Sequence, residues 1–189
     1  MARRAPANPL LADLALYDGK SVAVLEQIAA SHAHNPRYLD LVFDAAATVP
    51  PSADHTIRSG AIWLLRHAHR QGAAFPPAHV KQLVALIPLL SHWEQSLNLL
   101  QILDAVPIPA NNRRAVLAFA EAAASNANTL VRAWAISVLL KVGHTIDAER
   151  VRIDRIADEV LRTDKASVRA RIRRARDEIR RASGPPPLP

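Results

Sequence analysis

One phrase in this chain is written three times, in register. Ile57-Arg58-Ser59-Gly60-Ala61-Ile62-Trp63-Leu64-Leu65 recurs as Val131-Arg132-Ala133-Trp134-Ala135-Ile136-Ser137-Val138-Leu139, and in degraded form as Val168-Arg169-Ala170-Arg171-Ile172. The Val/Ile-Arg pairs lie 74 and then 37 residues apart, two periods and one. The missing copy falls at Glu94-Gln95, where the pair is lost but Leu99, Ile102 and Ala105 keep the apolar register. A fixed period of this length marks stacked helical hairpins, in which each unit shields the next.

The capping residues carry the same period. Asp54, Ser91 and Asn128 are spaced by 37, each three residues before the Val/Ile position, and Asp164 stands beside the fourth member, Lys165. Each of these side chains can accept a bond from the orphan amides of a first helical turn, worth about 1 kcal/mol apiece. Apolar columns accompany them: Ile57, Val131 and Val168; Ala61, Ala135 and Ile172; Leu65, Ile102 and Leu139; Ala68, Ala105, Val142 and Ile179. Steps of four, four and three put these positions on one helix face, and Asn98 interrupts the alanine column.

Half of the residues are apolar, yet only five are glycine, and Ala and Leu dominate, so helix is expected throughout and no strand. Breakers divide the chain into ten helices. Asn8-Pro9 opens the first, to about Tyr17; after the Asp18-Gly19 turn, Ser21 caps the second, to about Ser31. Pro36 begins the third, to about Thr48, which Pro50-Pro51 stops; Asp54 caps a long fourth, to about Arg70. Pro77 opens the fifth, to about Leu90 with a kink at Pro88, and Ser91 caps the sixth, to about Ala105. Pro109 or Asn111 opens the seventh, to about Ser125; Asn128 caps the eighth, ended by Gly143; Asp147 begins the ninth; Asp164 begins the tenth, to about Ala182. Residues 1–8 are expected to be a disordered N-terminus, 9–183 a single domain, and 184–189 an extended Pro-rich tail. That tail resembles ligands of aromatic-lined proline grooves, although a disordered terminus is the commoner explanation.

At this point the pattern resembles the HEAT repeat, especially the short HEAT-like repeats of bacterial proteins. Asn128-x-x-Val131-Arg132-x-x-Ala135-x-x-x-Leu139-x-x-x-Gly143 is similar to the second helix of such repeats, and Asp54-x-x-Ile57-Arg58-x-x-Ala61-x-x-x-Leu65 is a second match, the likeness covering roughly 36–182. The resemblance implies an all-α, right-handed α-solenoid of about five antiparallel helical hairpins. It also implies that Arg58, Arg132 and Arg169 link neighbouring repeats by bonding acidic or carbonyl groups in the preceding turn, with a weaker link at Gln95. Relatives of this kind serve mainly as scaffolds for protein partners, and a minority bind nucleic acid or do chemistry.

The residues themselves offer little catalytic chemistry. The chain has no cysteine, so thiolate nucleophiles, thiolate metal sites and disulfides are excluded. His67 and His69 point in different directions on one helix, and His32 and His34 lie near a helix end without a carboxylate cluster, so no metal site is expected. Asp158-Glu159 and Asp177-Glu178 have Arg155, Arg162, Arg174 and Arg181 at ion-pair spacing, which explains them as solvated pairs. Trp63, Trp93 and Trp134 fall in different columns, as packing residues would, and not as a cleft of the HEAT-like DNA glycosylases. No enzymatic activity and no cofactor are expected.

The formal charge of +7 is uneven, with twelve Lys/Arg against eight Asp/Glu after residue 144 and twelve against nine before it. In the last helix, Arg169, Arg171, Arg173, Arg174, Arg176, Arg180 and Arg181 could neutralise phosphates. Yet Arg173 replaces Ile62, Leu99 and Ile136, and Arg176 replaces Leu65, Ile102 and Leu139, which a terminal repeat with no successor requires of its outer face. The Met1-Ala2-Arg3-Arg4 terminus lacks an apolar core behind it, and no apolar run approaches the ~20 residues of a membrane span, so a soluble, cytoplasmic protein without membrane contact is expected.

The expected function is thus non-catalytic: a HEAT-like scaffold binding a protein partner along the concave surface lined by second helices, with Arg66, Arg70, Lys141 and Arg173 as contacts. The alternative is nucleic-acid binding through the basic C-terminal helix, by Arg173, Arg176 and Arg180.

Overall fold

A computed structural model describes residues 8–49, 55–182 and 184. Among them the chain is all-helical, with ten α-helices: α1 (Pro9–Leu14), α2 (Val22–His32), α3 (Tyr38–Thr48), α4 (His55–Arg70), α5 (Pro77–Leu86), α6 (Trp93–Ala105), α7 (Arg113–Ala124), α8 (Thr129–Gly143), α9 (Asp147–Thr163) and α10 (Ala166–Ala182). Expected caps Asp54 and the Pro50-Pro51 stop lie outside the described residues, as do positions 1–7 and 185–189 of the two expected tails.

Several boundaries differ from the expected ones for local reasons. Helix α1 closes at Leu14 instead of Tyr17, with the amides of Leu16 and Tyr17 bonding three residues back. Ser21 precedes α2 but makes no capping bond; Asp18 Oδ1 instead accepts from the amides of Lys20 (2.9 Å) and Ser21 (2.8 Å), closing the turn around Gly19 at φ 78°. Pro36 lies two residues ahead of α3, which starts at Tyr38. Pro88 ends α5 two residues earlier, at Leu86, and the chain tightens into a 3-10 turn over Ile87–Leu89. Ser91 is also not the cap of α6. Gln95 reaches back, and its Oε1 accepts from the amides of Ser91 (2.8 Å) and His92 (3.4 Å). Asn128 does cap α8, accepting from Leu130 N at 2.9 Å.

The residues fall into two compact units, Met1–Leu99 and Leu100–Pro189, with the division inside α6. In the first, α4 packs on α3, α2 and α1, and Gly60 is where α4 meets them: a Cβ there would stand 2.8 Å from Leu14 and 3.1 Å from Leu25. In the second, α8 packs on α7, α9 and α10. Gly143 ends α8 without a positive φ; it is needed because a Cβ would lie 2.0 Å from Ile153 Cδ1 of α9.

The apolar columns form the core. Ala61, Ala135 and Ile172 are fully buried, as are Leu65, Ile102 and Leu139, and Val131 with Val168. Ile57 is only half-buried, and Ala105 is exposed at the end of α6, where Val106 is buried instead. Asn98 and Gln95, which break the apolar and arginine columns, are nevertheless buried.

Candidate functional site

The motif arginines hold loops. Arg58, 1% exposed, donates from Nε to Ala46 O (3.0 Å), from Nη1 to Leu89 O (2.9 Å) and from Nη2 to Val49 O. One planar fork thus ties the end of α3 to the 3-10 turn preceding α6. Arg132 does the same in the second unit, donating to Asn126 O (3.0 Å) and Ala127 O (3.1 Å) and pairing with the Asp164 carboxylate ahead of α10 at 2.9 and 3.1 Å. The hydrogen bond from Arg132 holds the Asp164 carboxyl below its ordinary range. Gln95, in the same column, turns the link backwards: its Nε2 donates to His55 O (3.1 Å) and Ser59 Oγ (3.2 Å) of α4. Arg169 closes the series, and its buried Nε has no hydrogen-bond partner among the described residues.

A second set of lateral contacts joins positions one period apart. In the first unit the rings of His55 and His92 stack at 4.3 Å. In the second, Lys141 Nζ bridges Asp104 Oδ2 (2.7 Å) and Glu178 Oε2 (2.6 Å), so the column 104, 141, 178 reads acid, base, acid across α6, α8 and α10. Arg171 lies over the Trp134 ring and also pairs with Asp104, while its Nε donates to Ser137 Oγ at 3.1 Å. Asp104, whose side chain is 4% exposed, therefore accepts from Lys141, Arg171 and the Ser137 hydroxyl together. Burial pushes the Glu178 carboxyl up, but its hydrogen bond with Lys141 and the nearby cations outweigh this, leaving its pKa below the ordinary value.

Lys141 is consequently not the exposed contact that the sequence suggests; its ammonium is half-buried between two carboxylates. Arg173 is exposed on α10 and has no ion pair among the described residues. Arg176 pairs with Asp158 (2.7 Å), bonding across to α9, and Arg180 pairs with Asp177. Arg174 pairs with Glu178 at 3.0 Å, and Arg162 with Glu159, as the spacing indicates. His32, expected to lack a carboxylate cluster, does meet one carboxylate, that of Asp13 at 2.7 Å. Among the described residues no group of three or more His, Asp or Glu side chains is placed to hold a metal ion.

In the first unit the C-terminal half of α4 presents a different chemistry. Trp63 stacks on His67 at 4.9 Å and 16°, with the Arg66 guanidinium 5.8 Å from the ring centre. Arg66 is half-buried and Arg70 is exposed. Burial, and then the charge of Arg70, lower the Arg66 pKa. A groove of about 470 Å³ lies between α2 and the end of α4; His67 lines it, and Arg66 and Arg70 do not.

The apolar columns do not mark the Asp104, Ser137 and Arg171 cluster. Its signal was present: Asp104, Lys141 and Glu178, like Trp134 and Arg171, are separated by whole periods. No protein-family model matches the chain, and neither the curated proteins nor the solved structures yield a significant match. No helix among the described residues is long and apolar enough to cross a membrane.

Proposed function

We propose that the chain is a HEAT-like α-solenoid that binds a protein partner, without catalysis, along the surface lined by its second helices, α4, α6, α8 and α10. The observation that carries this reading is the meeting of side chains one period apart. Lys141 touches both Asp104 and Glu178, and Arg171 covers Trp134, at equal positions of successive second helices. Such pairs require neighbouring second helices to lie side by side in register, which is how stacked repeats expose one continuous surface. Clasps by Arg58 and Arg132 on the intervening loops fit the same scheme.

Nucleic-acid binding through Arg173, Arg176 and Arg180 has less support, because two of these three guanidiniums already hold carboxylates. Two measurements test the proposal. Small-angle scattering should return a radius of gyration clearly above the roughly 16 Å of a compact chain of this length. A photo-crosslinking residue at position 70 or 173 should capture one defined, nuclease-resistant protein that the same residue at position 122, exposed on α7, does not capture. A compact radius, or equal capture from both faces, overturns the reading.

A further inference from the structure

We propose that the groove between α9 and α10 seats a short segment of the protein partner, one acidic residue beside one aliphatic residue, with the carboxylate on Arg173 and the aliphatic side chain against Leu161 and Ile179. The inference rests on the scaffold reading above and names the chemistry of its ligand.

The groove belongs wholly to the second unit. Its walls are α9 and α10, and His144, which caps α8, also lines it. Its volume of about 530 Å³ lies within the roughly 300–1,000 Å³ of ligand pockets. Leu161 of α9 and Ile179 of α10 supply the apolar part. Both are half-buried, so each keeps apolar surface that a ligand side chain would remove from water.

Charge decides the occupant. Three guanidiniums line the groove, those of Arg173, Arg176 and Arg180. Arg176 pairs with Asp158 and Arg180 with Asp177, and His144 Nε2 lies 3.0 Å from Asp154 Oδ1. The two lining carboxylates, Asp154 and Asp177, are therefore matched within the fold. Arg173 differs from its neighbours: among the described residues its side chain has neither an ion pair nor a hydrogen bond. The groove is left with one unmet positive charge, which a single carboxylate answers. A carboxylate on a guanidinium fork makes two parallel charge-assisted bonds. Arg132 holds Asp164 in that way in the same unit, at 2.9 and 3.1 Å.

The register of the sequence points the same way. Position 173 aligns with Ile62, Leu99 and Ile136, and all three are buried. An apolar residue there would suit an apolar covering surface, whereas arginine suits one that brings a negative charge. Water alone would accept arginine at 173; the half-buried Leu161 and Ile179 in the same groove call for a ligand with an apolar part as well.

Nucleic acid fits this groove less well. A phosphate backbone is charged at every nucleotide, so it would meet Asp154 and Asp177 as well as Arg173. No Trp, Tyr or Phe lines the groove to stack on a base. A peptide can present one carboxylate and pass neutral residues over the two aspartates.

The test is selection of random dodecapeptides displayed on phage against the full chain, followed by fluorescence anisotropy with the synthetic consensus peptide. Enriched peptides should carry a single Asp or Glu next to Leu, Ile or Val. Arg173→Glu, at an exposed position that the fold does not need, should lower affinity about tenfold. Replacing the peptide's acid with Lys should restore most of that loss in the variant and weaken binding to the unsubstituted chain. Arg181→Glu makes the same change of charge at an exposed position of α10 outside the groove, and should alter affinity by less than about twofold. Leu161→Ala, with its fold checked by thermal melting, should lower affinity about fivefold. Absence of enrichment, a consensus without an acid, equal losses from Arg173→Glu and Arg181→Glu, or no rescue by the Lys peptide overturns the inference. So does a single-stranded oligonucleotide, or octanoate, that binds more tightly than the peptide and loses affinity with Arg173→Glu. Capture of a partner by crosslinking from position 70 does not depend on these variants, so the scaffold reading can survive the loss of this one.

Discussion

The Arg171 guanidinium carbon lies 3.8 Å from the centre of the Trp134 ring, and the two residues are one 37-residue period apart. Arg171 also pairs with Asp104, and Asp104 with Lys141, so one aromatic ring, two cations and a buried carboxylate join residues of α6, α8 and α10. The carboxylate is the member whose loss matters most. Asp104→Ala leaves Lys141 and Arg171 without their shared counter-charge and the Ser137 hydroxyl without its acceptor. Breaking a buried pair from one side costs about 3–5 kcal/mol. Urea unfolding should show a loss near the lower end of that range, since Lys141 keeps Glu178. Trp134→Leu, which removes only the stacking, should cost about 1 kcal/mol beyond its change in packing.

The contact between α8 and α9 depends on a missing methyl group. With Ile153 Cδ1 only 2.0 Å from where a Cβ on Gly143 would stand, Gly143→Ala must drive the buried Ile153 side chain out of its rotamer, at a cost of about 1 kcal/mol despite the better helix propensity of alanine. Ile153→Val removes the clashing carbon and by itself costs about 1 kcal/mol. The double variant should therefore be more stable than the sum of the two singles, a coupling that chemical denaturation of all four proteins measures.

The all-helical fold and much of its core were legible in the residues, and the reason is physical. A helix that buries one face carries small or apolar residues there, and the aligned positions Ala61, Ala135 and Ile172 are each fully buried. Helix ends were less legible where a side chain from elsewhere took over the capping. Ser91 had the right chemistry and spacing, but Gln95 captured its amide, a competition that no local pattern announces. Function was least legible because exposure was inferred from residue type. Lys141 looked like a surface contact until Asp104 and Glu178, each a period away, were found on either side of its ammonium.

Acid should weaken the second unit for a stated reason. Asp164 sits below its ordinary 3.8 through the hydrogen bond from Arg132, and Glu178 below 4.5 because Lys141 outweighs burial. Groups with depressed folded values stabilise fully above their unfolded values, and the contribution is lost as pH falls through the folded ones. Melting temperature should hold from neutrality to about pH 5 and decline below about pH 4. Arg132→Gln should lower stability at pH 7 and flatten this acid limb, because Asp164 then loses the largest cause of its depressed value. A decline equally steep in that variant assigns the acid sensitivity to other carboxylates.

The last helix should bind nucleic acid poorly, whatever its arginine content. Each phosphate contact contributes about −0.9 to the slope of log affinity against log salt for a duplex. Arg176 must give up Asp158, and Arg180 must give up Asp177, before either can contribute, whereas Arg173 and Arg181 are exposed and hold no carboxylate among the described residues. Titration of a duplex by anisotropy between about 50 and 200 mM salt should give a slope near −2 that Arg173→Gln reduces by about 1. Arg176→Gln should instead lower stability modestly, because its guanidinium joins α10 to Asp158 of α9. A slope of −3 or steeper that Arg176→Gln and Arg180→Gln each reduce means that the ion pairs open for phosphate. In that case the helix is a nucleic-acid site.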